Sequence, residues 1–294
     1  MPLEAVPELL RKARSGGYAV GYFESWNVES LYGVVEAAET ARAPIIVGFN
    51  GEFLGRPGRA AAERLSWYGA LGRAAAEGAG VPCGLIFNEC AQDDWTRAAV
   101  TAGFNLVMPA DAAAPYADYL RRVAELSGYA HAHGVAVEAE LGELPSGVAA
   151  ESHRSEKTDP ELARAFVAAT GVDLLAVSVG NMHIRLRGQA DLDLERLAAV
   201  RRVVDVPLVL HGGTGIADDS LRRAIALGVA KVNYGTGLKQ RYLAAVRRAL
   251  STGEANPHVL LGLGGPDDVM VAGRAAVREA VLERMAALGC AGKA

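Results

Sequence analysis

The chain is short of the features that would place it in several large classes. Only three cysteines occur in 294 residues, Cys83, Cys90 and Cys290, with no CxxC pair, which excludes a disulfide scaffold. No uninterrupted apolar run approaches the roughly 18 residues of a membrane span, and Met1–Leu10 lacks a basic stretch followed by an apolar core. Neither sign of charge dominates: 30 basic against 34 acidic side chains give a formal charge of −4, which argues against a nucleic-acid binder that works by neutralising phosphates. The first apolar run is followed by Glu24-Ser25-Trp26-Asn27, with no GxGxxG dinucleotide fingerprint. The expectation is a soluble, cytoplasmic protein with no nucleic-acid or membrane partner.

What is present is a repeated unit: a short apolar, β-branched run, a polar or glycine-containing turn, then a stretch of helical period rich in Ala, Arg and Leu. Eight runs read as strands: Tyr18–Phe23, Pro44–Phe49, Gly84–Asn88, Leu106–Met108, Ala136–Glu140, Leu174–Val179, Pro207–His211 and Lys231–Asn233. Most are continuously apolar, as strands buried on both faces are. Amphipathic stretches lie between them: Glu29–Ala41, Arg59–Glu77, Tyr116–His133, Pro160–Ala169, Leu192–Arg202 and Asp218–Leu227. Eight strand–helix units in one chain of 51% hydrophobic content predict an α/β fold, a (β/α)8 TIM barrel. The expected domain is single and spans residues 1–294, with an extra helical element over Pro266–Leu288. The charged stretch Glu143–Thr158 reads as a lid or insertion after strand five.

Reactive groups of such a barrel stand at the C-terminal ends of its strands. Those ends carry Glu24, Asn50, Asn88 with Glu89, Glu138 with Glu140, His183, His211, Asn233 and Thr236. Leu208-Val-Leu-His-Gly-Gly-Thr-Gly215 runs from a strand through Gly212, Gly213 and Thr214 toward a helix, so its backbone N–H groups suit an anion. The alternative is a plain glycine-rich turn; Asn233 and Thr236, after strand eight, favour the anion site. His183 and His211 with Glu89 and Glu140 form a common ligand set for a divalent metal, although a lone strand-end histidine is more often a hydrogen-bonded core residue. His131 and His133 read as cations at a helix C-terminus, and Cys90 as a small packing residue.

With these residues in view, the chain resembles the class II, metal-dependent fructose-bisphosphate and tagatose-bisphosphate aldolase family. The resemblance rests on Tyr18-Ala-Val-Gly21, Val137-Glu-Ala-Glu-Leu-Gly142, Thr158-Asp-Pro160, Thr170-Gly-Val-Asp-Leu-Leu-Ala-Val177, Leu210-His-Gly-Gly-Thr-Gly215 and Lys231-Val-Asn-Tyr-Gly-Thr236. It implies a divalent metal, Zn2+ foremost, that polarises a phosphorylated ketone and stabilises its enediolate. His183 and His211 match metal ligands, Glu140 an alternative metal position, and Gly212, Gly213, Thr214, Asn233 and Thr236 the phosphate cradle. It further implies a homodimer or homotetramer acting on a small phosphosugar.

The resemblance breaks at strand three. Where the family has His-Leu-Asp-His, this chain has Ile86-Phe87-Asn88-Glu89. Asn88 replaces the acid that donates a proton, and Glu89 replaces an imidazole ligand. Glu24 stands for an asparagine, Asn50 for a serine, Ile184 for a glycine and Gly235 for an aspartate; Glu143 is the nearest carboxylate to a missing lid motif. The expectation is therefore a lyase of the aldolase class, distinct from ordinary fructose-bisphosphate cleavage, with Glu24, Glu138 or Glu143 as the candidate base. An isomerase or epimerase on the same site and a catalytically silent phosphosugar-binding protein are the alternatives.

Overall fold

The structure is a computed structural model that describes residues 3–111, 114–142, 157–181 and 191–294. Its eight strands are β1 (Val20–Glu24), β2 (Ile45–Asn50), β3 (Cys83–Cys90), β4 (Leu106–Pro109), β5 (Ala136–Leu141), β6 (Leu174–Val177), β7 (Leu208–Leu210) and β8 (Val229–Tyr234). They pair in parallel in sequence order, and β1 pairs β8 to close the barrel. All eight predicted strands are present, with ends shifted by two residues at most. Two shifts bear on the site: β7 stops at Leu210, leaving His211 just past the strand, and β3 runs on through Glu89 to Cys90.

The helices are α1 (Val6–Gly16), α2 (Val28–Ala41), α3 (Gly51–Leu54), α4 (Leu65–Gly78), α5 (Asp93–Thr101), α6 (Tyr116–Ala132), α7 (Pro160–Thr170), α8 (Leu194–Val203), α9 (Asp218–Ala226), α10 (Thr236–Leu250), α11 (Pro257–Leu260) and α12 (Val269–Leu288). Their starts follow local chemistry. Asn27 forms a capping box with Ser30, and the Asp159 and Asp193 side chains accept the backbone N–H groups of Leu162 and Arg196. The helix expected over Arg59–Glu77 begins only at Leu65. Before it, the Arg59 guanidinium holds an irregular turn through the Phe53 and Ala61 carbonyls. His131 binds Asp173 Oδ2 at 2.8 Å and His133 binds the Tyr129 carbonyl, so both are structural.

Helices α1 and α12 lie outside the eight units. The segment before α1 is tied to the N-terminal ends of β3 and β4: Glu4 N–H donates to the Cys83 carbonyl, and the Asn105 amide donates to the Glu4 carbonyl. Val6, Leu9, Leu10 and Ala13 of α1 are buried there. The expected C-terminal element is α12, capped by Asp268 and packed on α2 and α10, with Val277, Val281, Met285 and Leu288 buried. No helix among the described residues is long and apolar enough to cross a membrane.

Candidate active site

The period of two along a strand decides which polar groups enter the barrel. On β5, Glu138 and Glu140 share one face, with Glu138 fully buried and Glu140 nearer the mouth. On β8, Lys231 and Asn233 share a face in the same way, and the Lys231 ammonium lies 5.1 Å from the centre of the Tyr22 ring. Lys231 is completely buried, which a lysine tolerates only when paired. Its Nζ is 2.8 Å from Glu138 Oε2 and donates to Asn233 Oδ1 at 2.6 Å. Glu138 Oε1 in turn lies 3.0 Å from His211 Nε2.

The network continues across the barrel. His211 Nδ1 is 2.9 Å from Glu89 Oε1 and 3.5 Å from Glu140 Oε2. Asn50 Nδ2 donates to Glu89 Oε2 at 2.6 Å, while its Oδ1 accepts the Phe53 N–H and caps α3. Side chains from β8, β5, the end of β7, β3 and β2 thus form one connected chain: Asn233, Lys231, Glu138, His211, Glu89, Asn50.

Glu89 reaches this cluster by an uncommon backbone. Its φ is +52°, a left-handed conformation that non-glycine residues rarely adopt, at a break in the β3–β4 register between Phe87 and Cys90. Such strain persists where surrounding contacts over-determine it, which is common at functional sites.

Electrostatics follow from the burial. Burial alone lowers the proton affinity of His211, but its bonds to Glu138 and Glu89 and the charges of Glu140 and Glu89 outweigh it, pushing the pKa up to about 10. Burial likewise favours neutral Glu138, but Lys231 and His211 win and hold it below the usual carboxylate range. Burial raises Glu24 above that range, opposed by the Lys239 ammonium that pairs with its Oε1. Burial also raises Cys90, whose Sγ contacts the Gln92 carbonyl, so this cysteine is a packing residue.

The glycine-rich turn after β7 is a single 3-10 turn, Gly213–Gly215, entered through Gly212 at φ +67°. Thr214 Oγ1 accepts the Gly237 N–H at 3.3 Å, joining this turn to the first turn of α10, which begins at Thr236. Asn233 Nδ2 is buried without a hydrogen-bond partner, and Lys231 fixes its orientation by holding Oδ1. That leaves an aimed donor beside the start of α10. At Gly235, a Cβ would overlap Glu24 Oε2. Two departures from the family pattern, Glu24 and Gly235, are therefore one fit: the carboxylate from β1 fills the space a side chain at 235 would need.

Of the predicted site residues, Glu24, Asn50, Asn88, Glu89, Glu140, His211, Gly212, Gly213, Thr214, Asn233 and Thr236 all lie at or just beyond strand ends on the C-terminal side of the barrel. Asn88 is buried, with an Oδ1 that has no hydrogen-bond partner. His183, Ile184, Glu143 and the stretch 143–156 expected as a lid lie outside the described residues. Among the described residues, no group of three or more His, Cys, Asp or Glu side chains stands ready as a metal site. Glu138, a candidate base by position, instead binds Lys231 and His211. The pattern missed Lys231, Lys239 and Asn181, whose amide donates to the His211 carbonyl at 3.2 Å; Lys231 reads locally as an ordinary strand-edge charge.

The family described as fructose-bisphosphate aldolase class-II has a model that matches residues 4–293. Among solved structures, the fold is similar to the YdjI aldolase from Escherichia coli K12, with TM-score 0.84, 32% identity and full coverage of both chains. A Coccidioides immitis structure assigned as a fructose-1,6-biphosphate aldolase gives TM-score 0.81 at 26% identity over 98% of this chain and 97% of that one. A fructose-bisphosphate aldolase from Campylobacter jejuni shares the fold at 21% identity, with TM-score 0.78 over 100% and 97% of the two chains.

Proposed function

The chain belongs to the class-II fructose-bisphosphate aldolase family and is an aldolase-like lyase; from that premise we propose that it cleaves and forms a C–C bond in a phosphorylated ketose. The observation that carries this reading is the connected chain of side chains from Asn233 to Asn50. It sets an aimed phosphate donor and a carbonyl-binding cluster at fixed separation across the mouth.

Glu89, Glu140 and His211 Nδ1, with His183, are the groups that would hold the family's divalent metal, and Zn2+ suits this mixed nitrogen and oxygen set. Nδ1 lies 2.9 and 3.5 Å from the two carboxylate oxygens, and a metal held there would displace the proton that these carboxylates keep on His211. When bound, the metal supplies Lewis-acid polarisation of the ketone beside the phosphorylated carbon.

The protein's own groups do the rest. Asn233 Nδ2, the N–H groups of Gly212–Gly215, Thr214 and the first turn of α10 bind the phosphate. Glu138 accepts from His211 Nε2 and thereby turns Nδ1 toward the mouth. In cleavage the C4 hydroxyl gives up its proton as the C3–C4 bond breaks; the electron pair goes to C3, which is then protonated. We assign the proton transfer to Glu24 Oε2, since burial keeps this carboxyl's proton affinity high. Asn88, unable to donate an acid proton, orients a substrate hydroxyl through its unpartnered Oδ1. A cytoplasmic location and a homodimeric or homotetrameric assembly complete the reading.

The test is proton exchange. Metal-loaded protein with dihydroxyacetone phosphate in D2O exchanges the C3 hydrogen, followed by NMR, and releases a trappable triose from a ketose phosphate. Absence of exchange with zinc, cobalt and manganese would remove the proposal, and exchange without a released triose would favour the isomerase alternative.

A further inference from the structure

A cavity of about 250 Å³ opens at the ends of β1 and β2. It adjoins the cluster directly, because Asn50 lines it and also donates to Glu89. A substrate with its phosphate between β7 and β8 and its carbonyl at His211 would extend its far end into this cavity.

Its charges are internally balanced. Two cations line it, Lys239 and Arg59, and two carboxylates, Glu24 and Glu63. Lys239 is paired with Glu24. Arg59 is paired with Glu63 and also donates to the Phe53 carbonyl at 2.9 Å and the Ala61 carbonyl at 3.2 Å. Glu63 additionally accepts the Tyr68 hydroxyl at 2.8 Å. The phosphate cradle is the opposite case: there Asn233 Nδ2 is a buried donor with no partner. Among the described residues, a phosphate dianion entering this cavity would meet no cation without its own carboxylate, and Glu89 lies beyond Asn50.

The same walls suit hydroxyl groups. Ionised carboxylates accept from them, and Trp26, Phe53 and Tyr68 offer apolar faces to the C–H edges of a carbon chain. Lys239 sits 4.2 Å from the Phe53 ring centre and 5.7 Å from that of Trp26, a site that further occupies the ammonium.

We propose that this cavity receives the aldehyde-derived half of the substrate as an uncharged polyol, so the enzyme takes ketose monophosphates in preference to bisphosphates. The proposal rests on the aldolase reading and names the substrate class of that site.

Calorimetric titration of the metal-loaded full chain with hexitol 1-phosphate and hexitol 1,6-bisphosphate tests it without requiring turnover. The monophosphate is expected to bind at least tenfold more tightly. Glu63→Gln, which removes the carboxylate that neutralises Arg59, is expected to shift that ratio at least fivefold toward the bisphosphate. Equal or tighter binding of the bisphosphate by the unmodified protein overturns the proposal while leaving the aldolase reading intact. So does an unshifted ratio in Glu63→Gln. Failure of both ligands to bind removes the phosphate cradle itself and this proposal with it.

Discussion

At the scale of single residues, two side chains carry a cost that the fold meets by pairing or by constraint. Lys231 and Glu138 are both fully buried and oppositely charged. Removing one partner strands the other, which costs about 3–5 kcal/mol, whereas replacing both by neutral groups of similar size is far milder. Glu138→Gln is therefore expected to lower stability by about 3 kcal/mol or more, and the double variant with Lys231→Met to recover much of it; urea unfolding of the four proteins of the cycle measures this. Glu89, at φ +52°, gives a second expectation. The left-handed conformation costs an L-residue about 1–2 kcal/mol that glycine avoids. Glu89→Gly should thus unfold at a higher temperature than Glu89→Ala, the reverse of the usual order, with calorimetry as the readout. Neither feature was legible locally. The left-handed turn depends on the β3–β4 register break, and the burial of Lys231 depends on β5 lying opposite β8 inside a closed barrel.

At the scale of elements, the pattern was most readable where one physical rule dominates. Strands buried on both faces read as continuous apolar runs, so all eight appear in the sequence and only their ends drift. The start of α7 was visible too, at Asp159-Pro160, where the Asp159 side chain accepts the Leu162 N–H. The start of α4 was not, because the Ala- and Arg-rich segment before Leu65 has helical composition but is diverted by the bonds Arg59 makes to Phe53 and Ala61. Helix α1 precedes the first strand and so fell outside the repeating unit. The C-terminal helix α12 was expected, and its attachment can be tested. Arg274 pairs with Glu36 of α2, and its hydrogen bond lowers the Glu36 pKa. A carboxyl depressed in the folded state adds stability above its unfolded pKa, about 4.3, and loses it as the pH falls through the folded value. Both groups are about a third exposed, so the contribution is at most about 1 kcal/mol. Arg274→Met should accordingly unfold slightly below the unmodified protein at pH 7, and the gap should close as the pH falls below about 4.3 and through the depressed folded value. A gap of constant size in thermal melts across that range would mean that packing, not charge, holds α12 to α2.

At the scale of the whole molecule, the barrel's role is to bring together groups that no local stretch of sequence holds. His211 lies more than a hundred residues from Glu89 and about seventy from Glu138 and Glu140, yet parallel closure places all three carboxylates around one imidazole. That cluster is rich in negative charge within a buried setting, and the proton its carboxylates hold on His211 and the Lys231 ammonium offset only part of it. A divalent cation that binds only this folded arrangement must stabilise the whole barrel, by about 2.7 kcal/mol at a free concentration a hundredfold above its dissociation constant. For a chain this long, each kcal/mol moves the unfolding midpoint by about 2–4 °C, so the expected rise with zinc, cobalt or manganese is several degrees and increases with metal concentration. Glu89→Gln leaves the size of the side chain unchanged while removing one anionic ligand. Its metal-dependent rise should shrink severalfold, whatever its starting stability. If the unmodified protein melts at the same temperature in a chelator as in saturating metal, the carboxylates around His211 serve the fold alone, and the chemistry must be sought elsewhere on the mouth.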